Sequence, residues 1–339
     1  MVQAITVSVI CTVLNEGESI KKLLDSLVEQ SYAPAEIVVV DGGSSDNTVA
    51  YLEQYAAEHR LPLRVLVEPG ANISRGRNLA IQAAVGPIIA STDAGVRLDK
   101  AWLAELIQPF QGPNPVAVVS GFFVPDPQTA FELAMGATVL PQLADINPAT
   151  FLPSSRSIAF LKSSWQAIGG YPEWLDFCED LIFDFRLREA AGPFVFAPAA
   201  LAYFRPRSSL RAFFKQYYQY ARGDGKADLW RKRHAIRYTI YLGALPILLL
   251  SGWFSSVWWW FCGAILAGFG LFYKPYRRLP GHWEQFSYSQ RLQAITWIPV
   301  IRLTGDIAKM IGYPVGWRWR IKHLAVQPEL RWRFRKPGR

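Results

Sequence analysis

The stretch Val38-Val39-Val40-Asp41-Gly42-Gly43-Ser44-Ser45-Asp46-Asn47-Thr48 contains the end of a strand, a tight loop and the start of a helix. Its apolar run, which begins at Ile37, is typical of a strand buried in a sheet. The two glycines allow close backbone approach, and the four polar residues after them all favour helix N-caps. This strand–loop–helix unit predicts an α/β domain in which Asp41 lies at the carboxyl end of its strand.

The same alternation continues on both sides of this unit. Residues 5–10 are β-rich, and the apolar positions among residues 20–28 form the stripe of an amphipathic helix. Further strands are predicted at 64–67, 88–92 and 117–120, and further helices at 77–85 and 101–107. The series predicts a doubly wound, Rossmann-like α/β domain with a mostly parallel sheet.

Acidic residues follow several of the predicted strands. Asn15-Glu16 comes after the first strand, Asp41 ends the second, and Asp93 comes after the apolar run 87–92. Open α/β sheets bind ligands at the carboxyl ends of their strands, and neighbouring carboxylates repel unless a ligand or a cation takes up the charge. Asp93 therefore indicates one half of a metal–diphosphate site, although Gly95 stands where a second acid would complete it. Asp41 alone fits an ordinary turn aspartate equally well.

Two further groups of charged residues are candidates for chemistry. Glu179-Asp180 begins a predicted helix, where the helix dipole and the free N–H groups favour the ionised carboxylate. Ordinary acids of a first helical turn are the alternative. Arg75, Arg77 and Arg156 are candidates for phosphate contacts, because a guanidinium donates two hydrogen bonds together. For Arg156 a solvated surface charge is an equally good interpretation.

In their order along the chain, these motifs resemble the start of the family 2 glycosyltransferases of the GT-A fold. The match covers about the first 220 residues, and the ordered set is more specific than any single motif. It consists of residues 7–12 leading to Asn15-Glu16, the stretch 38–48, Asn72-Ile73-Ser74-Arg75-Gly76-Arg77-Asn78-Leu79-Ala80, Asp93 and Glu179-Asp180.

The resemblance implies a binding site for a nucleotide sugar with UDP or GDP as its nucleotide. In that family the carboxylate that matches Asp41 binds the nucleobase and the ribose, and Glu16 lies near the same pocket. The segment Arg77-Asn78 helps to close this pocket. We expect either Arg75 or Arg77 to contact the diphosphate.

The resemblance also implies a metal and a general base. Asp93 matches the first acid of the DxD motif, which contacts ribose and a divalent metal, Mg²⁺ or Mn²⁺. Gly95 replaces the usual metal-binding carboxylate, but Mg²⁺ can be held by one carboxylate, substrate phosphates and water. Asp180, which follows a Gly-Gly turn at 169–172, matches the base that takes a proton from the acceptor hydroxyl. The acceptor oxygen attacks the anomeric carbon opposite the diphosphate, which inverts the anomeric configuration.

The composition indicates that part of the chain meets lipid. Hydrophobic residues make up 51% of the chain and include 13 Trp, which is more than a soluble enzyme usually contains. Residues 1–205 carry 13 Lys and Arg against 22 Asp and Glu, whereas residues 206–339 carry 23 against 5. The basic half is interleaved with apolar stretches, which favours anionic lipid headgroups over nucleic acid as its partner. The three scattered cysteines do not have the spacing of a zinc site or a disulfide framework.

Two runs, 239–254 and 257–273, contain no charged residue and are each close to the length that a membrane-spanning helix needs. We predict a transmembrane hairpin here, with a buried hairpin of a soluble domain as the alternative. Basic residues flank both outer ends of the predicted hairpin, whereas the connection between its arms at Ser255-Ser256 contains no basic residue. The positive-inside rule therefore places the catalytic domain on the cytoplasmic face of the inner membrane. No basic n-region precedes the first strand, so we expect no cleavable signal peptide.

The second half contains one further family-like motif. Residues 219–223 resemble the Gln-x-x-Arg-Trp motif of processive family members, but Gly223 replaces the Trp that is expected to stack on an acceptor sugar. A non-processive enzyme is therefore expected. The predicted regions are a GT-A catalytic domain over 1–205, an interfacial amphipathic segment over 206–235, the hairpin over 236–274, and an amphipathic, basic C-terminal region over 275–339.

These features predict a membrane-anchored, inverting glycosyltransferase of the hexosyltransferase type, acting in the biosynthesis of a cell-envelope polysaccharide or glycolipid. It would transfer a sugar from a nucleotide sugar to a lipid or lipid-linked acceptor. The alternatives are a polyprenyl-phosphate sugar synthase, a non-catalytic membrane scaffold that binds nucleotide sugars, and a nucleotidyltransferase. The last is disfavoured because the chain has no Gly-rich phosphate loop of the type G-x-x-x-x-G-K-[ST].

Overall fold

The computed structural model describes residues 5–114 and 116–332, which form two compact units. The first unit consists of the described residues up to Asp126 together with Leu143–Arg205. The second consists of Pro127–Gln142 and the described residues from Pro206 onwards. Each unit has a hydrophobic core of its own.

An eight-stranded mixed sheet forms the centre of the first unit. Its strands are β1 (Val7–Val13), β2 (Glu36–Asp41), β3 (Leu63–Val67), β4 (Ile88–Ser91), β5 (Val96–Leu98), β6 (Val118–Pro125), β7 (Ile158–Leu161) and β8 (Val195–Phe204). Their order across the sheet is β3-β2-β1-β4-β7-β6-β8-β5. The first four are mutually parallel, as the sequence predicts. The other half is mixed: β7 is antiparallel to both of its neighbours, and β5 is antiparallel to β8. The expectation of a mostly parallel sheet therefore holds only for the N-terminal half.

The helices cover both faces of this sheet. On one face, Val9 and Cys11 of β1 pack with the first and fourth helices of the chain, and on the other Ile10 packs with the third and seventh. This is the three-layer arrangement expected for a doubly wound domain. The helices of the first unit are α1 (Lys21–Val28), α2 (Thr48–His59), α3 (Ile73–Ala83), α4 (Trp102–Ile107), α6 (Lys162–Ala167) and α7 (Glu179–Ala191), and α5 (Ala130–Val139) belongs to the second unit.

The order of the parallel strands brings three carboxyl ends together. The chain passes from β1 to β2 on one side and later places β4 on the other side of β1. Such a reversal of direction opens a crevice at the carboxyl ends of the strands, where ligands of open α/β sheets bind. Glu16, Asp41 and Asp93 follow or end β1, β2 and β4 at this crevice.

The second unit is helical and is organised around one long helix. Its helices are α5, α8 (Leu210–Ala227), α9 (Arg231–Tyr238), α10 (Leu245–Phe254), α11 (Trp258–Ala267), α12 (Tyr273–Arg278) and α13 (Tyr288–His323). The core of this unit is formed by α5 and by the inner face of α13, which includes Ala294, Ile298 and Ile301. Nine of the ten residues of α5 are buried, although this segment was predicted within the catalytic domain.

Helices α8 and α13 cross at very short range. A Cβ added at Gly316 would lie 1.9 Å from the carbonyl oxygen of Arg222, and one added at Gly225 would lie 2.3 Å from that of Tyr313. Phe213 and Ala221 of α8 are fully buried. The aromatic, basic segment predicted to lie at a membrane surface therefore buries part of its apolar surface within the protein.

A helical hairpin occupies the charge-free runs. Helix α9 continues through a π-helical segment, Thr239–Ala244, into α10, and α11 continues through a second, Gly268–Phe272, into α12. Among the described residues, one helix, Arg231–Phe254, is long and apolar enough to cross a membrane by length and composition. The second arm does not meet that criterion, so a hairpin that spans twice is not established. Within the predicted amphipathic, basic C-terminal region over 275–339, α13 extends to His323, and residues 333–339 lie outside the described residues.

Candidate functional site

The loops that follow β1 and β2 are joined by side-chain hydrogen bonds. Asn15, in the left-handed conformation with φ 53°, accepts a hydrogen bond at Oδ1 from the Ser45 N–H at 2.8 Å. Its own N–H donates to Ser44 Oγ at 2.8 Å. The Glu16 N–H donates to Thr48 Oγ1 at 2.9 Å. The two acidic strand ends are therefore held side by side, as the sequence predicts.

Asp41 shapes its own loop. One carboxylate oxygen accepts from the N–H groups of Gly43 and Ser44 at 2.9 and 2.8 Å, and the other accepts from Ser44 Oγ. The side chain is almost completely buried. A carboxylate has about four lone-pair sites, so some acceptor capacity remains for a ligand group.

Arg77 connects the end of β4 to the start of α7. Its side chain is 3% exposed and donates from Nη2 to Asp93 at 2.8 Å and from Nη1 to Glu179 at 2.7 Å. Although burial disfavours the charged guanidinium, the two carboxylates raise its pKa overall. Arg77 is therefore a fixed positive charge inside the protein, and its fork is occupied by protein carboxylates.

A second arginine approaches Asp93 from the more open side. Arg156 Nε lies 3.3 Å from the second carboxylate oxygen of Asp93, and Nη1 donates to Ser154 Oγ at 3.3 Å. The guanidinium lies over the Phe204 ring, 4.6 Å from its centroid. The side chains of Arg156 and Asp93 are 23% and 24% exposed, so this ion pair is at the edge of the protein interior.

The two acids at the start of α7 have different surroundings. Glu179 is buried beside Arg77, and burial, with a smaller effect of Asp180, raises its pKa to about 7. Asp180 is partly exposed and accepts one hydrogen bond, from the Leu181 N–H at 2.8 Å. Burial, with a smaller effect of Asp93, raises the pKa of Asp180, while Arg77 and Arg156 oppose this shift. The helix-terminus argument did not include this effect of burial, and its expectation of an ionised Asp180 at neutral pH stays a prediction.

The same helix contributes a third acid that the sequence did not single out. Asp184 lies one turn after Asp180, is buried, and has one oxygen with no hydrogen-bond partner among the described residues. Burial, followed by the charge of Asp180, raises its pKa well above the ordinary value. Cys178, at the N-terminal end of α7, has φ 66°, a left-handed conformation that is unfavourable for a residue with a Cβ. Backbone strain of this kind is common at functional sites.

Asn78 and Arg75 lie at a separate cleft. Asn78 Oδ1 accepts from the Trp165 Nε1–H and the Tyr171 N–H, and Nδ2 donates to the Tyr171 carbonyl at 2.9 Å. Asn78 therefore holds the Gly-Gly turn in place. Arg75 is half-exposed and pairs with Glu68, with Nε 3.0 Å from its carboxylate oxygen. Both residues line a cleft of about 530 Å³ whose walls do not include Asp41, Asp93 or Asp180.

The donor set around Asp93 does not fit a divalent ion held by the protein. Both carboxylate oxygens of Asp93 already pair with guanidinium groups, and Gly95 supplies no ligand. Among residues 5–114 and 116–332, no three His, Cys, Asp or Glu side chains are grouped so as to hold a metal. A hard cation such as Mg²⁺ needs several oxygen ligands, and two neighbouring guanidiniums would repel it.

The structure thus separates the predicted site residues into three groups. Glu16 and Asp41 lie in the joined loops after β1 and β2, whereas Arg75 and Asn78 line the separate cleft. Asp93, Arg77 and Asp180 belong to one cluster of charges. Glu179 was predicted only as the neighbour of Asp180, and Arg156 only as a phosphate candidate. Glu179 pairs with Arg77, and Arg156 pairs with Asp93. Both pairs join residues that are far apart in the chain, and the spacing of the motifs does not predict them.

Comparison with known proteins identifies relatives over most of the chain. Residues 8–152 match the sequence profile of the family described as Glycosyl transferase family 2. Glycosyltransferase AglE of Haloferax volcanii is 26% identical over 253 residues, covering 71% of this chain and 81% of that protein. Succinoglycan biosynthesis protein ExoA of Rhizobium meliloti is 25% identical over 291 residues, covering 79% of this chain and 85% of that protein.

A solved structure resembles the fold. Mannosyltransferase PcManGT of Pyrobaculum calidifontis, determined in complex with GDP-Man and Mn²⁺, has a TM-score of 0.54 at 20% identity, covering 90% of this chain and 86% of that one. At this identity the likeness shows the fold alone. The predicted GT-A type of α/β fold is therefore confirmed, with a mixed sheet.

Proposed function

Because the chain belongs to the family 2 glycosyltransferases, we propose that it transfers a sugar from a nucleoside diphosphate donor to a hydroxyl group of a lipid or lipid-linked acceptor. The observation that carries the proposal is the charge cluster beside the strand ends. Asp93 and Arg77 mark the donor side, and the partly exposed Asp180 starts the helix that faces them. Such a crevice suits a nucleotide sugar at the strand ends and an acceptor next to Asp180.

Asp180 is proposed as the general base. It takes the proton of the acceptor hydroxyl while the acceptor oxygen forms a bond to the anomeric carbon. The bond from that carbon to the diphosphate oxygen breaks on the opposite side, and its electron pair leaves with the nucleoside diphosphate. A raised pKa suits this role, because a base works best when its pKa approaches the working pH. Glu179 is less suited, since it is buried and paired with Arg77.

Asp41 and Glu16 are proposed for the nucleoside end of the donor. Asp41 keeps acceptor capacity for a ribose hydroxyl or a base N–H, and the joined loops fix its position. The predicted roles of Arg75 in diphosphate binding and of Asn78 in closing the pocket stay predictions, and both residues line the separate cleft. The expected divalent ion at Asp93 stays a prediction. Both oxygens of Asp93 are paired with guanidiniums and do not fit such an ion, and the proposed transfer uses the side chains alone.

The helical hairpin is proposed to anchor the enzyme in the inner membrane. Its apolar side chains are largely exposed, for example Ile247 at 65% and Leu266 at 74%, which is unfavourable in water over so large a surface. Four basic residues between 231 and 237 precede the charge-free run 239–254, and three between 274 and 278 follow the second run, whereas the connection at 255–256 contains no basic residue. This distribution favours a cytoplasmic catalytic unit. The lipid-facing hairpin would keep the site beside a lipid-linked acceptor. Carbonate extraction of membranes tests the anchor, since release into the soluble fraction would contradict it.

A sugar-transfer assay tests the main proposal. The full-length protein in mild detergent is incubated with UDP- and GDP-sugars and with extracted membrane lipids, with and without Mg²⁺ or Mn²⁺. We expect transfer from one donor, and its loss in Asp41→Ala and Asp180→Ala. If no donor supports transfer and both variants behave like wild type in nucleotide binding, the proposal fails. Nucleotide binding without turnover on any acceptor would instead favour the non-catalytic scaffold.

The acceptor type can be distinguished with the same variants. A polyprenyl phosphate is already an anionic nucleophile and needs little base catalysis, whereas a hydroxyl needs a base. A near-normal rate of Asp180→Asn on a polyprenyl phosphate would support the alternative of a polyprenyl-phosphate sugar synthase.

A further inference from the structure

The pairing of Asp93 is unusual for a carboxylate expected to bind a metal. Its two oxygens face Arg77 and Arg156 at 2.8 and 3.3 Å. Gly95 has open space around it: a Cβ added there would meet no atom within 4 Å, and its φ is not in the left-handed region. Sterics therefore do not explain the missing second acid. In this chain the one acid of the expected pair is contacted by two positive side chains.

Arg77 and Arg156 differ in their burial and in how tightly their guanidinium groups are held. Arg77 is buried and holds a carboxylate with each Nη, so its position is fixed from both sides. Arg156 is 23% exposed, and its contacts to Asp93 and Ser154 are both 3.3 Å, at the long end for hydrogen bonds. The flat face of Arg156 rests on Phe204, which orients the guanidinium without burying it. Arg156 is thus a positioned charge at the edge of the crevice.

This charge lies within electrostatic reach of the proposed reaction. Arg156 and Arg77 both lower the pKa of Asp180, and Asp93 raises it, so the four groups lie in one electrostatic cluster. A departing nucleoside diphosphate needs its developing negative charge neutralised. A guanidinium does this while donating two hydrogen bonds in a fixed fork, which matches adjacent phosphate oxygens.

We propose that Arg156, anchored on Asp93, binds the diphosphate of the nucleotide sugar in place of a divalent ion, so that donor binding and transfer need no metal. This inference rests on the proposed function and specifies how its donor is held. As the bond from the anomeric carbon to the phosphate oxygen breaks, the electron pair stays on that oxygen, which the guanidinium stabilises. Arg77 acts as a positioning residue that holds the Asp93 carboxylate in place.

Nucleotide binding provides the test, with UDP and GDP as probes. Binding to the full-length protein in detergent is measured by calorimetry in excess EDTA, in Mg²⁺ and in Mn²⁺. We expect dissociation constants within a few-fold of one another under the three conditions. Arg156→Ala should weaken binding about ten- to a hundredfold, the range of hydrogen bonds to charged groups. Arg156→Lys, which keeps the charge but loses the fork, should recover part of this loss.

Two further variants make the result specific. Arg64→Ala removes an ion-paired arginine near the start of β3, at the opposite edge of the sheet, and should bind like wild type. Gly95→Asp adds the missing acid in open space, and its nucleotide binding should become stronger with Mn²⁺ than with EDTA. Melting temperatures without ligand show whether each variant is folded.

The outcomes separate the two proposals. The role of Arg156 would be overturned if the wild type lost nucleotide binding in EDTA and regained it with Mn²⁺ while Arg156→Ala bound nucleotide like the wild type. The proposed function would then stay intact. Equal weakening by Arg156→Ala and Arg64→Ala would also overturn the role of Arg156, since the effect would not be local. An absence of nucleotide binding under all three conditions would refute both proposals.

Discussion

Replacing Arg77 by methionine tests whether the site depends on one buried positive charge. Methionine keeps much of the unbranched side chain but leaves Asp93 and Glu179 without the guanidinium that lies 2.8 and 2.7 Å from their oxygens. Removing one partner of a buried ion pair costs about 3–5 kcal/mol, because the other partner stays buried as an uncompensated charge. Protonation of Glu179, whose pKa is about 7, offsets part of this cost near neutral pH. We therefore expect the free energy of unfolding to fall by about 3 kcal/mol at pH 7, near the lower end of this range, and by more at higher pH.

Urea unfolding of the full-length protein in mild detergent, followed by tryptophan fluorescence, measures this loss. With a slope of about 1–3 kcal/mol per molar urea, the midpoint should fall by at least about 1 M. The matched control is Arg75→Met on the same helix, whose half-exposed side chain pairs with Glu68 at the surface and should leave the midpoint near wild type. Equal midpoints for the two variants would refute the claim that Arg77 stabilises a buried charge cluster.

Three other predictions concern the base, its titration and the helical unit. Asp180→Asn should lower kcat on a hydroxyl acceptor at least about a hundredfold with donor binding retained, and an unchanged rate would exclude its role as base. Because burial raises the pKa of Asp180 and a base acts only when deprotonated, the wild-type rate should fall as the pH drops through a value above the ordinary aspartate pKa of about 4. A pH–rate profile with its acid limb at or below that value would contradict this. Gly316→Ala should destabilise the helical unit by about 1–3 kcal/mol, because its Cβ would clash with the Arg222 carbonyl, whereas Gly268→Ala meets nothing within 4 Å. Equal thermal unfolding of the two variants in detergent would mean that the crossing of α8 and α13 tolerates a methyl group.

The parts of the fold that depend on local patterns could be predicted. The apolar run before Asp41 is β2, and the polar residues after it lead into α2, which starts at Thr48. The acidic ends of β1 and β2 lie together because parallel neighbouring strands end at the same edge of a sheet. Periodicity and capping residues act over a few positions, so a single sequence is enough to reveal them.

The parts that depend on distant contacts could not be predicted in this way. Arg77 and Glu179 are 102 positions apart, and nothing in either motif shows that one guanidinium joins them. Burial raises the pKa of Asp180, an effect that the helix-terminus argument did not include because the sequence does not display burial. The antiparallel β7 was also missed, since its pairing depends on where the chain re-enters the sheet.

The route of the chain through α5 limits how the enzyme can be divided. A gene fragment that stops at Arg205 would still encode α5 but would lack α12 and α13, against which this helix packs. Phe131, Leu133 and Met135 would then face water, and such a fragment should aggregate or be retained by chaperones during expression. A soluble version for crystallisation should instead replace residues 127–142 with a short polar linker between Asp126 and Leu143.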